Sequence, residues 1–166
     1  MEGEKTFLCA MAVYDEETQR CIEEMRARLV GAGFAGRQTK NLPHHITLGI
    51  FKPSEQEETL AAMEEALRQT RAFSLTFNHL GVFGGGRVLF LAPDVNRELL
   101  SLKEHFGTSR GWTAHTTLLI DGPEQVCAAL PLALQGFEAF EGRVDGVQLY
   151  QFCPRELLRE GALPSQ

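Results

Sequence analysis

The chain has 166 residues, is 43% hydrophobic and 23% charged, and carries a formal net charge of −6. This is the composition of an ordinary globular protein, and no apolar run approaches the roughly 20 residues that a membrane-spanning helix needs. The negative charge argues against a protein that coats nucleic acid, since such binding relies on many phosphate contacts, but it leaves open a small nucleotide or an RNA end as a ligand.

Five elements are predicted in the first half of the chain. Runs of β-branched, aliphatic and aromatic residues predict strands, and apolar residues at helical spacing predict helices. Glycines, prolines and capping residues between these runs predict loops and helix starts. In chain order we expect a strand over 6–14, a helix from Asp15 to about residue 31, a strand within 42–51, a helix from Pro53 to about residue 70, and a strand over 73–83.

A hairpin turn at Gly84–Gly86 is predicted to lead into the second half. The same signals predict six further elements there. In chain order we expect a strand over 87–91, a helix from Pro93, a strand within 112–120, a helix over 123–134, a short strand over 137–140 and a last strand over 144–152, followed by a peripheral tail after Pro154.

A short pattern occurs twice, as His45-Ile46-Thr47-Leu48 and as His115-Thr116-Thr117-Leu118. Both copies lie in predicted strands, where residues two apart point to the same face. Each copy therefore places an imidazole and a hydroxyl side by side on one face of its strand. One such pattern would mean little, but two in equivalent places indicate a site with two imidazoles and two hydroxyls.

The order of elements also repeats, with 70 residues between the two histidines and 67 between Phe73 and Phe140. We interpret the chain as a duplication, with sequence halves of about 5–83 and 87–153. Two such halves would pair by a pseudo-two-fold axis. The two histidine strands would then face each other across a cleft.

With these motifs and this order of elements, the chain resembles the two-histidine (2H) phosphoesterase superfamily, in the branch of 2′-5′ RNA ligase-like proteins and cyclic phosphodiesterases. The family signature is a pair of His-x-Thr/Ser-hydrophobic motifs, and the resemblance covers about residues 5 to 153. It implies one α+β domain over 1–166 with a bilobal, duplicated fold. Two antiparallel sheets would form a central cleft, with helices packed on the outside.

The resemblance implies a metal-independent phosphodiesterase without a cofactor. It would hydrolyse 2′,3′-cyclic phosphate ends or small cyclic nucleotides to a 2′-phosphate. By resemblance His45 is the acid and His115 the base, and an imidazole titrating near pH 6.5 suits either task. Thr47 and Thr117 would donate to the phosphate oxygens. A 2′,5′-specific phosphodiesterase, a 2′-5′ RNA ligase and a non-catalytic nucleotide-binding module are the alternatives.

Candidate substrate-binding residues lie near the motifs. Phe51 is six residues after His45, so a regular strand places it on the cleft face, where it could stack on a base or pack in the core. Many relatives carry a basic residue just after the second motif, where this chain has Ile120-Asp121. Positive charge is therefore expected from elsewhere, with Lys40 and Arg110 as candidates. Further basic candidates are Arg37, Lys52 and Arg87.

The remaining expectations concern the setting of the protein. The four cysteines are scattered and are predicted to be free thiols, without the clustered ligands of a zinc site. The short acidic N-terminus does not resemble a secretion signal, which favours the cytoplasm. We expect a monomer whose partner is a small nucleotide or an RNA terminus, with no membrane partner. The cysteines are Cys9, Cys21, Cys127 and Cys153.

Overall fold

The computed structural model describes residues 5–165, so the N-terminal residues behind the expectation about a secretion signal lie outside it. None of the helices in this part is long and apolar enough to cross a membrane. The described residues form seven strands and four helices. The strands are β1 (Phe7–Tyr14), β2 (His45–Phe51), β3 (Phe73–Val82), β4 (Val88–Pro93), β5 (Thr116–Ile120), β6 (Phe140–Phe152) and β7 (Glu156–Ala162). The helices are α1 (Glu16–Gly31), α2 (Gln56–Gln69), α3 (Arg97–Glu104) and α4 (Pro123–Leu134), with a 3₁₀ turn over Pro53–Glu55 before α2.

The strands form one antiparallel sheet in the order β2-β1-β6-β3-β4-β5, with β7 paired to β6. This confirms the predicted antiparallel α+β class. The expected two sheets are joined, however, because the 13-residue β6 belongs to both groups of strands. It pairs with β1 over residues 144–152 and with β3 over 140–144. A long shared strand therefore connects the two groups of strands.

The strand order has an internal symmetry. The counterparts of β1, β2 and β3 in the second half are β4, β5 and β6. Exchanging each strand with its counterpart gives the same order read from the other end. Each half contributes strand, helix, strand, helix and strand, in that order. This symmetry puts the two motif strands, β2 and β5, at opposite ends of the order. It supports the duplication and the halves 5–83 and 87–153, which stay predictions.

The main core lies on the helix-facing side of the sheet. In β1, Leu8, Ala10 and Ala12 face this core, together with buried residues of all four helices. The alternating residues of the same strand form a separate small cluster on the other face. That cluster contains Cys9, Met11 and Val13.

The start of α3 differs from the prediction. Pro93 was expected to begin the helix, but β4 extends through it, since Pro93 pairs with Phe77 of β3. The helix begins four residues later, after Asn96, whose side chain accepts a hydrogen bond from the Leu99 amide at 2.9 Å. Pairing with β3 therefore outweighs the local preference of proline for a first helical turn.

The C-terminal region also differs from the prediction. The two strands expected over 137–140 and 144–152 are one strand, β6, because β3 pairs with residues 140–144 without a break. The tail beyond Pro154 is not peripheral. It forms β7, which pairs with residues 146–151 of β6. The sequence of β7, Glu-Leu-Leu-Arg-Glu-Gly-Ala, lacks the regular apolar alternation that predicts a strand.

Strand β6 is sterically tight at Gly142, which lies within its ladder with β3. A Cβ atom there would lie 2.7 Å from both a Phe77 ring carbon and the Thr18 methyl group. Phe77 is fully buried and has no room to move. We expect Gly142→Ala to lower the free energy of unfolding by about 1–3 kcal/mol, as overpacking does. Urea denaturation measures this loss.

Gly84→Ala is the matched control, because no atom lies within 4 Å of the added Cβ and the backbone is not in the left-handed region. Its stability should stay within about 0.5 kcal/mol of the wild type. Equal stability of the two variants would show that a methyl group at residue 142 fits beside Phe77 and Thr18.

Candidate active site

The motif strands β2 and β5 are at opposite ends of the strand order, yet the sheet curves until they lie beside each other. One bond joins them directly, since the Thr116 hydroxyl donates to the carbonyl oxygen of His45 at 3.0 Å. A second comes from the loop before β5, where Trp112 Nε1 donates to the carbonyl oxygen of Thr47 at 3.0 Å. These bonds bring together two motifs that are 70 residues apart in the sequence.

A buried tyrosine completes this junction. The Tyr14 hydroxyl lies 2.6 Å from the Thr116 hydroxyl. Because the single proton of Thr116 is committed to His45, Tyr14 must be the donor in this pair. Burial raises the pKa of Tyr14, which keeps its phenol neutral and able to donate. The chain of bonds therefore runs from Tyr14 through Thr116 to the backbone of the first motif.

Each motif turns its histidine and its threonine away from the main core. In the first, His45 and Thr47 are partly exposed whereas Ile46 and Leu48 are fully buried. In the second, His115 and Thr117 are likewise partly exposed, and their neighbours in the motif are buried. This is the alternation that the sequence predicts.

Both motif strands also carry a bulge at the leucine of the motif. Leu48 has no partner in the ladder with β1, and Leu118 has none in the ladder with β4. A bulge adds one residue to one strand and reverses which side chains face the cleft beyond it. As a result Ile50 and Ile120, each two residues after the bulge, line the same cavity.

The bulge overturns the predicted place of Phe51. A regular strand would put Phe51 on the cleft face, but after the bulge it pairs with Leu8 and packs against the main core. Its ring also covers Gly49, where a Cβ would lie 2.6 Å from a ring carbon. Phe51 is therefore a core residue, and Ile50, which is 66% exposed, takes the position expected for it.

The two imidazoles are held in the same way. His45 Nδ1 lies 2.8 Å from the carbonyl oxygen of Pro43, and His115 Nδ1 lies 2.8 Å from that of Thr113. A carbonyl can only accept, so Nδ1 carries the proton in both rings. Nε2 is then the atom in each ring that is free to accept or donate a proton.

The surroundings of the two rings differ. His115 meets Phe83 and Phe90 edge to face, at centroid distances of 4.7 and 5.5 Å. His45 is more enclosed, and burial is the main cause that lowers its pKa. The charge of His115 contributes to this lowering, so the two rings are close enough to interact. The neutral form of His45 is favoured as a result.

A cavity of about 320 Å³ lies at the junction of the motif strands. His45, Thr47 and Thr117 line it, and His115 lies beside it rather than in its wall. Part of its wall is apolar. The apolar side chains from β1 and β6 are Phe7, Cys9, Met11 and Phe152.

The Cys9 thiol orients one of the hydroxyls. Its sulfur lies 3.9 Å from the Thr47 hydroxyl oxygen and donates to it weakly. Burial raises the pKa of Cys9 to about 11, so the thiol keeps its proton. Thr47 accepts from Cys9 through an oxygen lone pair, and this bond does not use the proton of the Thr47 hydroxyl.

A family model described as the 2′-5′ RNA ligase superfamily matches residues 14–153, which include both motifs. The chain belongs to this superfamily. It is the 2H phosphoesterase superfamily that the two histidine motifs predict, so the resemblance drawn from the sequence is confirmed. No curated protein sequence matches the chain.

Solved structures agree with the superfamily fold. E. coli LigT in complex with 3′-AMP is 23% identical, with a TM-score of 0.68 over 98% of this chain and 100% of that one. The apo form of E. coli LigT is 22% identical, with a TM-score of 0.67 over 96% and 98%. The protein TT0787 of Thermus thermophilus is 17% identical, with a TM-score of 0.63 over 96% and 99%.

The two basic residues predicted to bind substrate are not in the cavity wall. Lys40 and Arg110 are both exposed, and neither lines the cavity. The Lys40 carbonyl accepts a hydrogen bond from Arg155, which anchors its loop. Arg37, another candidate, extends to Asp121, with Nε and the carboxylate 3.6 Å apart. None of these three side chains lines the cavity.

Arg26 of α1 was missed by the sequence analysis, yet it lines the cavity. It lies one turn after Ile22 and one turn before Leu29, two fully buried residues on the inner face of the helix. The signal was present in the sequence, because an arginine interrupts the apolar stripe of an amphipathic helix. A charged side chain at such a position needs polar surroundings, and that of Arg26 lies at the cavity.

The loop before β2 closes one side of the cavity. Gln38 spans the edge of β5, since its Nε2 donates to the Leu118 carbonyl at 3.3 Å and its Oε1 accepts from the Ile120 amide at 3.1 Å. His44 is held by its ring, with Nε2 2.7 Å from the Glu23 carboxylate. Loop and ring are therefore fixed in place by bonds to their neighbours.

The described residues contain no group of three or more His, Cys, Asp or Glu side chains placed to hold a metal ion.

The junction between the motif strands gives a direct test of stability. In Thr116→Val, the His45 carbonyl and the buried Tyr14 hydroxyl both lose their partner. We expect a loss of about 1–3 kcal/mol in the free energy of unfolding, measured by urea denaturation. Thr76→Val is the control, since Thr76 is an exposed strand threonine. A Thr116 variant as stable as the control would show that the bridge contributes nothing.

Proposed function

We propose that the chain is a metal-independent phosphodiesterase that hydrolyses 2′,3′-cyclic phosphates, at RNA ends or in small cyclic nucleotides, to a 2′-phosphate. The observation that carries this proposal is the matched pair of histidines, each bonded through Nδ1 to a backbone carbonyl and each followed by a threonine. Membership of the superfamily supports phosphodiesterase or ligase chemistry in general. The 2′-phosphate product is proposed on the resemblance alone.

Opening a cyclic phosphate needs two proton transfers. Water attacks phosphorus and loses a proton, the bond from phosphorus to one ribose oxygen breaks, and that oxygen gains a proton. Each transfer raises the reaction rate roughly 10²–10⁴-fold when a positioned imidazole performs it. With Nδ1 engaged in both rings, Nε2 of each ring is the atom that takes or gives the proton.

The division of labour follows from the surroundings of the rings. The lowered pKa of His45 favours its neutral form, which suits the base that activates water. His115 is then the acid that protonates the leaving oxygen. This is the reverse of the assignment implied by resemblance, and the physical reason is the burial of His45.

The threonine hydroxyls are proposed to bind the non-bridging phosphate oxygens, where negative charge develops in the transition state. Thr47 and Thr117 both line the cavity, and each stands on the same strand as a histidine. The bond that Thr47 accepts from Cys9 does not use its own proton, which can be donated to a phosphate oxygen. Hydroxyls fixed in this way need little reorganisation when the substrate binds.

The size of the cavity supports a small substrate. About 320 Å³ is near the lower end of the range for small-molecule sites, enough for one terminal nucleotide rather than a long RNA. The apolar wall around Phe7 and Phe152 would receive the base. Structures of E. coli LigT with 3′-AMP and with phosphate are consistent with ligands of this kind.

The setting of the protein is proposed from its sequence. We expect a cytoplasmic monomer that acts on a nucleotide or an RNA terminus with a 2′,3′-cyclic phosphate or a 2′,5′ linkage. The net charge of −6 favours short over long RNA, because many phosphate contacts would be repelled.

The first test removes each histidine in turn. Because each ring carries one proton transfer, His45→Ala and His115→Ala should each lower kcat on 2′,3′-cyclic AMP by on the order of 10²–10⁴-fold. Thr47→Ala and Thr117→Ala should each lower kcat roughly 10–10³-fold, since one hydrogen-bond donor of several is lost. The measurement is steady-state hydrolysis in EDTA, with product analysis to identify the 2′-phosphate.

His79→Ala serves as the control, because His79 is exposed and pairs only loosely with Asp94 at 3.9 Å. Activity that appears only with a divalent cation would contradict the metal-independent mechanism. Turnover of 2′,5′-linked dinucleotides alone would instead identify a 2′,5′-specific enzyme. Binding without turnover on either substrate would identify a non-catalytic module.

The second test concerns pH. A base must be unprotonated, so kcat/KM should fall as the pH drops through the pKa of His45, which lies below its ordinary 6.5. An NMR titration checks the cause directly: in His115→Ala the pKa of His45 should rise, because a nearby charge that lowers it is gone. An acid limb above 6.5 that disappears in His45→Ala would refute the assigned base.

A further inference from the structure

Arg26 reaches the cavity from the helix layer. It projects from the inner face of α1, whose neighbouring turns carry the fully buried Ile22 and Leu29. Its side chain is partly buried and forms part of the cavity wall. No other lysine or arginine of the described residues lines this cavity. The cavity therefore has one cationic side chain, and it comes from an element outside both motifs.

The guanidinium of Arg26 lacks a protein partner in the described part of the chain. Its Nε is inaccessible to solvent and makes no hydrogen bond. Glu23, one turn earlier on the same helix, is engaged by His44 at 2.7 Å. An inaccessible donor without an acceptor costs free energy, more so when the group is charged.

The charge of Arg26 acts on a histidine that lines the same cavity. The pKa of His44 is lowered, mainly by burial. The positive charge of Arg26 lowers it further, whereas the hydrogen bond to Glu23 raises it. His44 precedes His45 directly and lines the same cavity. The guanidinium thus lies within electrostatic range of the place where a phosphate would meet the first motif.

The other basic candidates do not fill this role among residues 5–165. Arg37 extends toward Asp121 and is 78% exposed, and Lys40 and Arg110 lie off the cavity wall. Ile120, at the position where a basic residue was expected, lines the cavity with a hydrocarbon side chain. Without Arg26, no lysine or arginine of residues 5–165 would face a phosphate ester bound in this cavity.

We propose that Arg26 is the anion-binding residue of this cavity and pairs with a phosphate oxygen of the ligand. The ligand class is a phosphate ester small enough for the cavity, so this inference rests on the proposed function for its substrate. Binding can nevertheless be measured without turnover. Arginine suits the task because its planar fork can make two parallel bonds to one phosphate.

The experiment measures binding of inorganic phosphate, 2′-AMP and adenosine by isothermal titration calorimetry. Loss of a charge-assisted bond should raise the Kd of Arg26→Gln for phosphate and for 2′-AMP roughly 10- to 100-fold. The affinity for adenosine, which has no phosphate, should stay within about twofold. Arg26→Lys keeps the charge without the fork and should lose an intermediate amount. Added salt should weaken phosphate binding more in the wild type than in Arg26→Gln.

Arg20→Gln is the matched control, since Arg20 is exposed on the same helix and lines no part of the cavity. Its affinities should equal those of the wild type. Phosphate binding by Arg26→Gln within twofold of the wild type, an equal loss for adenosine, or no phosphate binding by the wild type would each overturn the proposal. If Arg26→Gln does not fold, Arg26→Lys serves as the test. Wild-type affinity of Arg26→Lys for phosphate and for 2′-AMP would overturn the proposed pairing of the guanidinium with the phosphate.

The two proposals fail in different ways. Wild-type protein that binds phosphate through Arg26 but hydrolyses no cyclic nucleotide would refute the phosphodiesterase and leave the anion site standing. Turnover of cyclic nucleotides with unchanged phosphate binding in Arg26→Gln would refute the anion site alone.

Discussion

The site depends on one buried hydrogen-bonded bridge, from the Tyr14 hydroxyl to the Thr116 hydroxyl to the carbonyl oxygen of His45. The bridge connects β1, β5 and β2, and so joins the two ends of the strand order. Together with the bond from Trp112 Nε1 to the Thr47 carbonyl, it holds the end strands of the curved sheet side by side. All three groups lie in a region with little water, where an unpaired polar group is costly. The bonded arrangement is therefore strongly preferred over an open one.

The second level of organisation is the backbone around each imidazole. Both rings donate through Nδ1 to a carbonyl two residues earlier, which fixes the tautomer as well as the orientation. The equivalent bulges at Leu48 and Leu118 then set which later side chains enter the cleft. The halves use the same local devices. They differ in what surrounds the rings: aromatic edges for His115, and deeper burial for His45.

The sequence determined much of the fold and the pair of motifs. Alternation within short β-branched runs is a local property, so it predicted the strands and the faces of His45 and Thr47 correctly. The Asp15 cap of α1 was equally local, and its carboxylate accepts from the Thr18 amide at 2.9 Å. The repeated order of elements identified the superfamily, because two matched motifs in equivalent places are rarely accidental.

Tertiary structure alone decided which side chains reach the cavity. The bulge that turned Phe51 into the core depends on pairing with β1, and the continuity of β6 depends on β3. Arg26 lies in a helix far from the motifs in sequence, so only packing could bring it to the cavity. Local sequence determines which way a side chain points within its own element. Which elements meet, and hence which charge faces a ligand, is decided by contacts between residues distant in the chain.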